Sequence, residues 1–205
     1  MKNTLLGLVK QLPLDLGQGT YRHTTRAKQI AFSLAGEGKR QRALDFGCGD
    51  GFWSEQLQQR GWSVTSADTD TSLYTEAVYV DGEKPLPFAD DSFDLVWLTE
   101  VIEHIVNLGQ FLREVRRIAR PGGRLVITTP NSAFWLYHVL RSFGVTPAQV
   151  QNPSHKQFFS LDDMRRLFPD ARLWGFFPYN VIKLRIRRGI RLLSPTFIIE
   201  EQIRT

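Results

Sequence analysis

Cysteine is almost absent from the chain. Cys48 is the only one, so no intrachain disulfide can form, and a reducing compartment such as the cytoplasm is the expected setting. Long apolar runs are missing too. The opening MKNTLLGLVKQLPLDL has one short apolar run, Leu5 to Val9, closed by Lys10. That is too short for the core of a secretory signal, and no uninterrupted stretch approaches the ~20 residues of a membrane span. Repeats and low-complexity tracts are also absent. Acid is missing from one stretch in particular, VIKLRIRRGIRLL from Val181 to Leu193, which carries Lys183, Arg185, Arg187, Arg188 and Arg191.

What is present suits one soluble domain over residues 1–205. Hydrophobic residues make up 42% and charged residues 23% of the chain, enough to build a core and keep its surface wet. Residues 1–35 read as a lead-in, broken by Pro13, Gly17 and Gly19, that ends in a helix with Ala27, Ile30, Ala31 and Leu34 at helical spacing. Short apolar strands then alternate with helices. RALDFGC, WSVTSAD, TEAVYVD, FDLVWLT and GRLVITTP read as strands one to five, and ARLWGFF and TFIIEEQIRT as six and seven. FWSEQLQQRG, NLGQFLREVRRIARPGG and SLDDMRRLF read as helices, the last opened by a capping box from Ser160 to Asp163. This alternation predicts an α/β fold, a Rossmann-like doubly wound sheet, with ligands at the carboxyl ends of the strands.

The residues at those ends describe a ligand. Strand one runs into LDFGCGDG, with Gly47, Gly49 and Gly51 at alternate positions, where bare backbone can approach a ligand. The spacing is not that of a dinucleotide pyrophosphate loop, and Asp45 just before it would repel phosphate and suit an ammonium group. Strand two ends in Asp68, placed for the two hydroxyls of a ribose. Strand three ends in Asp81–Gly82, where an acceptor suits the amino group of an adenine. Ammonium, ribose and adenine without phosphate describe S-adenosylmethionine.

LDFGCGDG, DGEKPLPFADDSFDLV, EVIEHI and RPGGRLVITTPN resemble, in order, the successive motifs of class I S-adenosylmethionine-dependent methyltransferases of the type 11/23 kind. The resemblance implies a transferase with a seven-stranded, mostly parallel sheet whose last strand is antiparallel. It assigns residues 36–131 to the cofactor-binding core and 132–205 to acceptor-side segments and C-terminal strands. It implies that Asp45 with the backbone of Gly47, Cys48 and Gly49 holds the methionine end, Asp68 the ribose, and Asp81 with Gly82 the adenine. Asp70 is the alternative ribose ligand. One departure is the short TDTSLYTEA between strands two and three, which leaves room for one or two helical turns at most.

LTEVIEHI is the least settled motif. On a helix Glu100, Glu103 and His104 would share one face. Small-RNA 2′-O-methyltransferases and quinone-pathway O-methyltransferases use a similar E-x-x-E-H with a distant histidine to hold a divalent metal. That resemblance implies Glu100, Glu103, His104 and His155 as ligands, or Glu103 and His104 as direct catalysts. The competing reading is a helix cap bonded to a loop, and the residues alone leave both open.

Acceptor choice falls to the segments least like the family. Tyr21, Arg22 and His23 are candidates for a lid over the cofactor. Trp135, Tyr137, Phe143, Phe158 and Phe159 are candidates for an apolar pocket. The basic segment 181–193 reads as a helix with Ile182, Ile186, Ile190 and Leu193 on one face, its first half also fitting a strand. It suits a solvated connector or a peripheral membrane contact. The expected function is O-methylation of a small-molecule or lipid-linked acceptor in the cytoplasm or at the membrane surface. Behind it stand a small-RNA 2′-O-methyltransferase, disfavoured because an aromatic-interleaved platform for nucleic acid is not evident, and a non-catalytic cofactor-binding regulator.

Overall fold

The computed structural model describes residues 25–177 and 184–204. Its strands are β1 (Arg42–Phe46), β2 (Ser63–Asp68), β3 (Val78–Tyr79), β4 (Phe93–Thr99), β5 (Ala119–Pro130), β6 (Arg172–Phe176), β7 (Arg185–Ile186) and β8 (Thr196–Gln202). The helices are α1 (Arg26–Ala35), α2 (Phe52–Gln59), α3 (Leu108–Ile118), α4 (Trp135–Ser142), α5 (Pro147–Val150), α6 (Leu161–Leu167) and α7 (Ile190–Leu193). The strands form one sheet in the order β3-β2-β1-β4-β5-β8-β6-β7. β1 to β5 are parallel, β8 runs antiparallel between β5 and β6, and β7 is antiparallel to β6. The doubly wound α/β architecture with an antiparallel C-terminal strand is therefore present. The sheet has eight strands, not seven, because the basic segment folds partly into β7.

Alternation along the strands sorts the core into two layers. On β4, Val96 and Leu98 face the layer that holds Phe111, Leu112 and Val115 of α3. Leu95 and Trp97 face the other, with Ala27, Ile30 and Ala31 of α1 and Trp53 and Leu57 of α2. Thr25 caps α1 by accepting from the Lys28 N–H at 3.4 Å, and Ser160 and Asp163 form the expected capping box on α6. Helix α3 is shorter than the periodicity suggests, because the chain turns extended at Ala119 and joins β5. Strand three shrinks to two residues, and residues 69–77 hold turns without a helix. The sheet order reverses between β1 and β4, so their carboxyl ends part and leave a crevice.

Two further expectations change. The basic segment is not one amphipathic helix within the described residues. Arg185–Ile186 pair with β6, a turn follows, and only Ile190–Leu193 are helical. The five aromatic residues are not gathered into one cluster among the described residues. Tyr137 packs with Phe134, Leu136, Leu140 and Val145 in a small separate cluster flanked by Trp135. Phe159 belongs to the main core, while Phe143 and Phe158 are exposed. Tyr21, Arg22, His23 and Ile182 lie outside the described residues. No described helix is long and apolar enough to cross a membrane.

Candidate active site

At the sheet reversal a cleft of about 340 Å³ opens, lined by Phe46, Gly47, Asp68, Thr69, Asp81, Gly82, Glu83, Glu100, Val101, His104 and Ile105. Among the described residues its walls carry four carboxylates and no lysine or arginine. Such a wall favours a cation and disfavours phosphate.

The glycine loop approaches this space as bare backbone. Gly47, Gly49 and Gly51 all have positive φ, at 78°, 55° and 80°. A Cβ at Gly47 would fall 2.5 Å from Val101 Cγ2, and one at Gly51 equally close to the Tyr74 ring, whereas one at Gly49 meets nothing within 4 Å. Gly49 therefore borders open space. Its N–H donates to Asp68 Oδ2 at 2.8 Å, while the Asp70 N–H donates to Asp68 Oδ1 at 3.0 Å. Oδ1 also accepts from the Thr69 hydroxyl at 3.4 Å, so Oδ2 is the oxygen that keeps a further lone pair for a ligand's hydroxyl. Asp70 is outside the lining and is occupied by the Ser72 N–H and hydroxyl. Those hydrogen bonds hold its carboxyl below the usual value.

Asp45 is not on the wall. It is 1% exposed and accepts from the Ser54 hydroxyl at 2.7 Å, which in turn accepts from Ser66 at 2.7 Å. Burial pushes its carboxyl up to about 7, against the opposing pull of the Ser54 hydrogen bond and of Lys28. Cys48 is buried beside the loop and its thiol is pushed up to about 12 by burial and by Asp45. A neutral thiol there is inert.

Asp81 and Gly82 reach the cleft on a braced loop. Asp81 accepts from the Glu83 N–H at 3.0 Å, which holds its carboxyl low, and Lys84 lies 3.3 Å away. A Cβ on Gly82 would come within 2.8 Å of Ile105. Glu83, which sequence reasoning missed, accepts from the N–H groups of Val106 and Asn107 at 2.6 and 3.0 Å and so pins the lead-in to α3. Its partners lie 23 and 24 residues away, which leaves no local signal. Arg117 of α3 secures the rest of the loop, reaching the carbonyls of Leu86 and Phe88 at 3.0 and 2.8 Å.

The acidic motif after β4 departs from the expected helix. Glu100 sits at φ 59° and only Ile102–His104 form a short 3-10 turn. Glu100 consequently parts from Glu103 and His104. Glu100 lines the cleft and accepts from the Thr128 hydroxyl at 2.9 Å. Glu103 turns inward, 1% exposed, with Oε2 accepting from Thr129 at 3.0 Å. Its Oε1 has no hydrogen-bond partner among the described residues and lies 4.0 Å from His155 Nε2. His104 and His155 meet edge to face with ring centroids 4.9 Å apart.

Glu103, His104 and His155 each bring one potential ligand atom within 4.8 Å of the others. Glu100 is not in that group, so the expected four-residue set reduces to three. Desolvation holds the Glu103 carboxyl well above its ordinary value, with Glu100 adding to the rise. Desolvation also depresses both imidazoles, His155 to about 4. His104 Nδ1 faces the Ser154 carbonyl at 3.3 Å and His155 Nδ1 faces Gln151 Oε1 at 3.3 Å. Assigning both as Nδ1–H donors leaves each Nε2 with its lone pair. That is the tautomer in which a histidine accepts a proton or holds a cation.

Residues 19–173 match the family model described as a methyltransferase domain. A malonyl-[acyl-carrier protein] O-methyltransferase of Erwinia pyrifoliae is 35% identical over 100 residues, 45% of this chain and 38% of the relative. A ubiquinone biosynthesis O-methyltransferase of a Caulobacter species is 29% identical over 140 residues, 60% of this chain and 56% of the relative. The chain thus spans about two fifths to just over half the length of these curated relatives. Among solved structures, a SAM-dependent methyltransferase from Archaeoglobus fulgidus superposes with a TM-score of 0.64 at 17% identity, covering 88% of this chain and 95% of that one. The YcgJ protein of Bacillus subtilis gives 0.63 at 15% identity, covering 87% and 98%. At such identities these likenesses concern the fold.

Proposed function

The chain belongs to the family of methyltransferase domains, and from that premise we propose that it transfers the methyl group of S-adenosylmethionine to a hydroxyl oxygen of a small-molecule or lipid-linked acceptor. The observation that carries the choice of oxygen is the buried, unpaired Oε1 of Glu103 beside two neutral imidazoles. Leaving a carboxyl oxygen without a partner in a dry site costs about 1–3 kcal/mol. The cluster therefore suits a proton or cation that arrives with the acceptor. The O-methyltransferase names of the two curated relatives agree with this choice.

The cleft fits the donor. Its acidic wall accommodates a sulfonium, the Asp68 carboxylate stands for the ribose hydroxyls, Asp81 offers an acceptor to the adenine amino group, and Gly47 bare backbone to the methionine end. Methyl transfer makes a carbon–oxygen bond as the sulfur–carbon bond breaks, and the sulfonium becomes a neutral thioether. Alignment of the two centres supplies much of the rate. The hydroxyl must also shed a proton. His104, on the cleft wall and kept neutral by burial, is placed to accept it at Nε2. Glu103 and His155 stand behind it.

The convergence of one ligand atom from each of the three residues favours a second reading of the same cluster. Glu103, His104 and His155 would hold a divalent cation, which would supply Lewis-acid activation of the acceptor hydroxyl. Calorimetric titration of manganese or zinc into the protein carrying S-adenosylhomocysteine separates the two. Heat that disappears in Glu103→Ala supports the cation. Its absence in both proteins supports His104 as base. Failure of any cell-extract fraction to take label from methyl-labelled cofactor would overturn the transferase itself.

A further inference from the structure

The segment from Leu184 to Leu193 combines two features that rarely share a soluble surface. It carries Arg185, Arg187, Arg188 and Arg191 with no acid, the next carboxylate in the chain being Glu200. It also exposes aliphatic side chains, Leu184 at 61%, Leu192 at 46% and Leu193 at 39%. The display is held in place. β7 pairs with β6 at the sheet edge, Gly189 turns the chain at φ 68°, and buried Ile190 anchors α7. The buried Asn131 amide donates to the carbonyls of Ile190, Arg191 and Ser194 at 3.2, 2.8 and 2.7 Å.

The charges are not neutralised evenly. Arg191 meets Asp162 at 2.6 Å. Arg185 and Arg187 lie over the Trp174 ring, 4.4 and 4.7 Å from its centre, a contact that leaves their charge intact. Arg188 is exposed and has no ion pair among the described residues. Exposed leucines beside a sheet edge invite association, so their company of uncompensated arginines selects what can cover them.

We propose that this edge is a docking surface for an anionic lipid bilayer. Leu184, Leu192 and Leu193 would enter the boundary between headgroups and acyl chains, and Arg185, Arg187 and Arg188 would meet lipid phosphates. A single-stranded nucleic acid fits less well. It needs aromatic faces for its bases, the Trp174 face is already covered by two guanidiniums, and the exposed apolar groups are aliphatic. Asn131, which ties α7, follows β5 two residues after Thr129, the hydrogen-bond donor to Glu103. A bilayer held here therefore lies at the same end of the sheet as the acceptor cluster.

Flotation of the full chain with vesicles tests the proposal without any methyl transfer. Mixed phosphatidylglycerol–phosphatidylcholine vesicles should bind on the order of a hundredfold better than phosphatidylcholine alone, from roughly fivefold per arginine. High salt should remove most of that difference. Arg188→Gln combined with Leu192→Ser should weaken binding at least tenfold and leave the melting temperature and adenosylhomocysteine affinity unchanged. Equal binding to both vesicle types, binding unaffected by the double substitution, or no binding would each overturn it. Binding of a single-stranded oligonucleotide that the variant loses, with vesicles ignored, would reassign the surface to nucleic acid.

Discussion

Replacing Asp45 with asparagine should make the protein less sensitive to pH. The Asp45 carboxyl sits at about 7 in the folded protein against an ordinary 3.8, because it is buried with one hydroxyl as its hydrogen-bond partner. A carboxyl raised on folding keeps its proton in the native state where the unfolded chain has lost it. Stability therefore falls as pH rises from about 4 to about 7. Between pH 5 and pH 8 this one group should remove roughly 3 kcal/mol from the wild type. Asparagine keeps an oxygen for the Ser54 hydroxyl and has no proton to lose. For a chain of this length, roughly 3 kcal/mol corresponds to about 6–12 °C in melting temperature. Melting curves of both proteins at several pH values give the difference directly, since His104, His155 and Glu103 titrate in both and cancel. The variant should gain on the wild type steadily up to pH 7 and then level off. Parallel curves would refute the reasoning and mean that water or a cation reaches Asp45.

Two further substitutions probe the cleft and its support. Gly49→Ala should fold, because a Cβ there meets nothing within 4 Å, at about 1 kcal/mol for its left-handed backbone. It should bind adenosylhomocysteine at least tenfold more weakly by calorimetry, and unchanged affinity would place the ligand elsewhere. Glu83→Ala removes the acceptor for Val106 and Asn107 and should cost about 1 kcal/mol by denaturant titration. Hydrogen exchange should rise at Val106 and Asn107 and not at the end of α3.

Much of the sheet is legible in the sequence because burial on both faces leaves short apolar runs that end at glycines and acids. The strand ends at Asp68 and Asp81 reach the cleft, as expected of residues where a parallel strand stops. Asp45 is placed differently. It lies inside β1, and alternation puts it on the face of Ala43, toward Ser54 of α2 and off the cleft lining. The spacing of Glu100, Glu103 and His104 suggests a helix, yet the chain bends at Glu100 so that its N–H donates to the Thr128 carbonyl at 3.0 Å. Tertiary pairing with β5 overrides the local pattern there. The aromatic residues after β5 are equally ambiguous, since a stripe that could line a pocket is also what a small core cluster needs. The short strand in the basic segment follows from pairing with β6, which its helical periodicity conceals.

The acidic cleft between β1, β2 and β4 should take an adenosyl sulfonium donor through Asp68. Calorimetric titration of S-adenosylhomocysteine into the wild type and Asp68→Ala tests it most directly. One binding site in the wild type is predicted, weakened about tenfold to a hundredfold in the variant by loss of charge-assisted hydrogen bonds. No binding to the wild type, or equal affinity in both proteins, would contradict it.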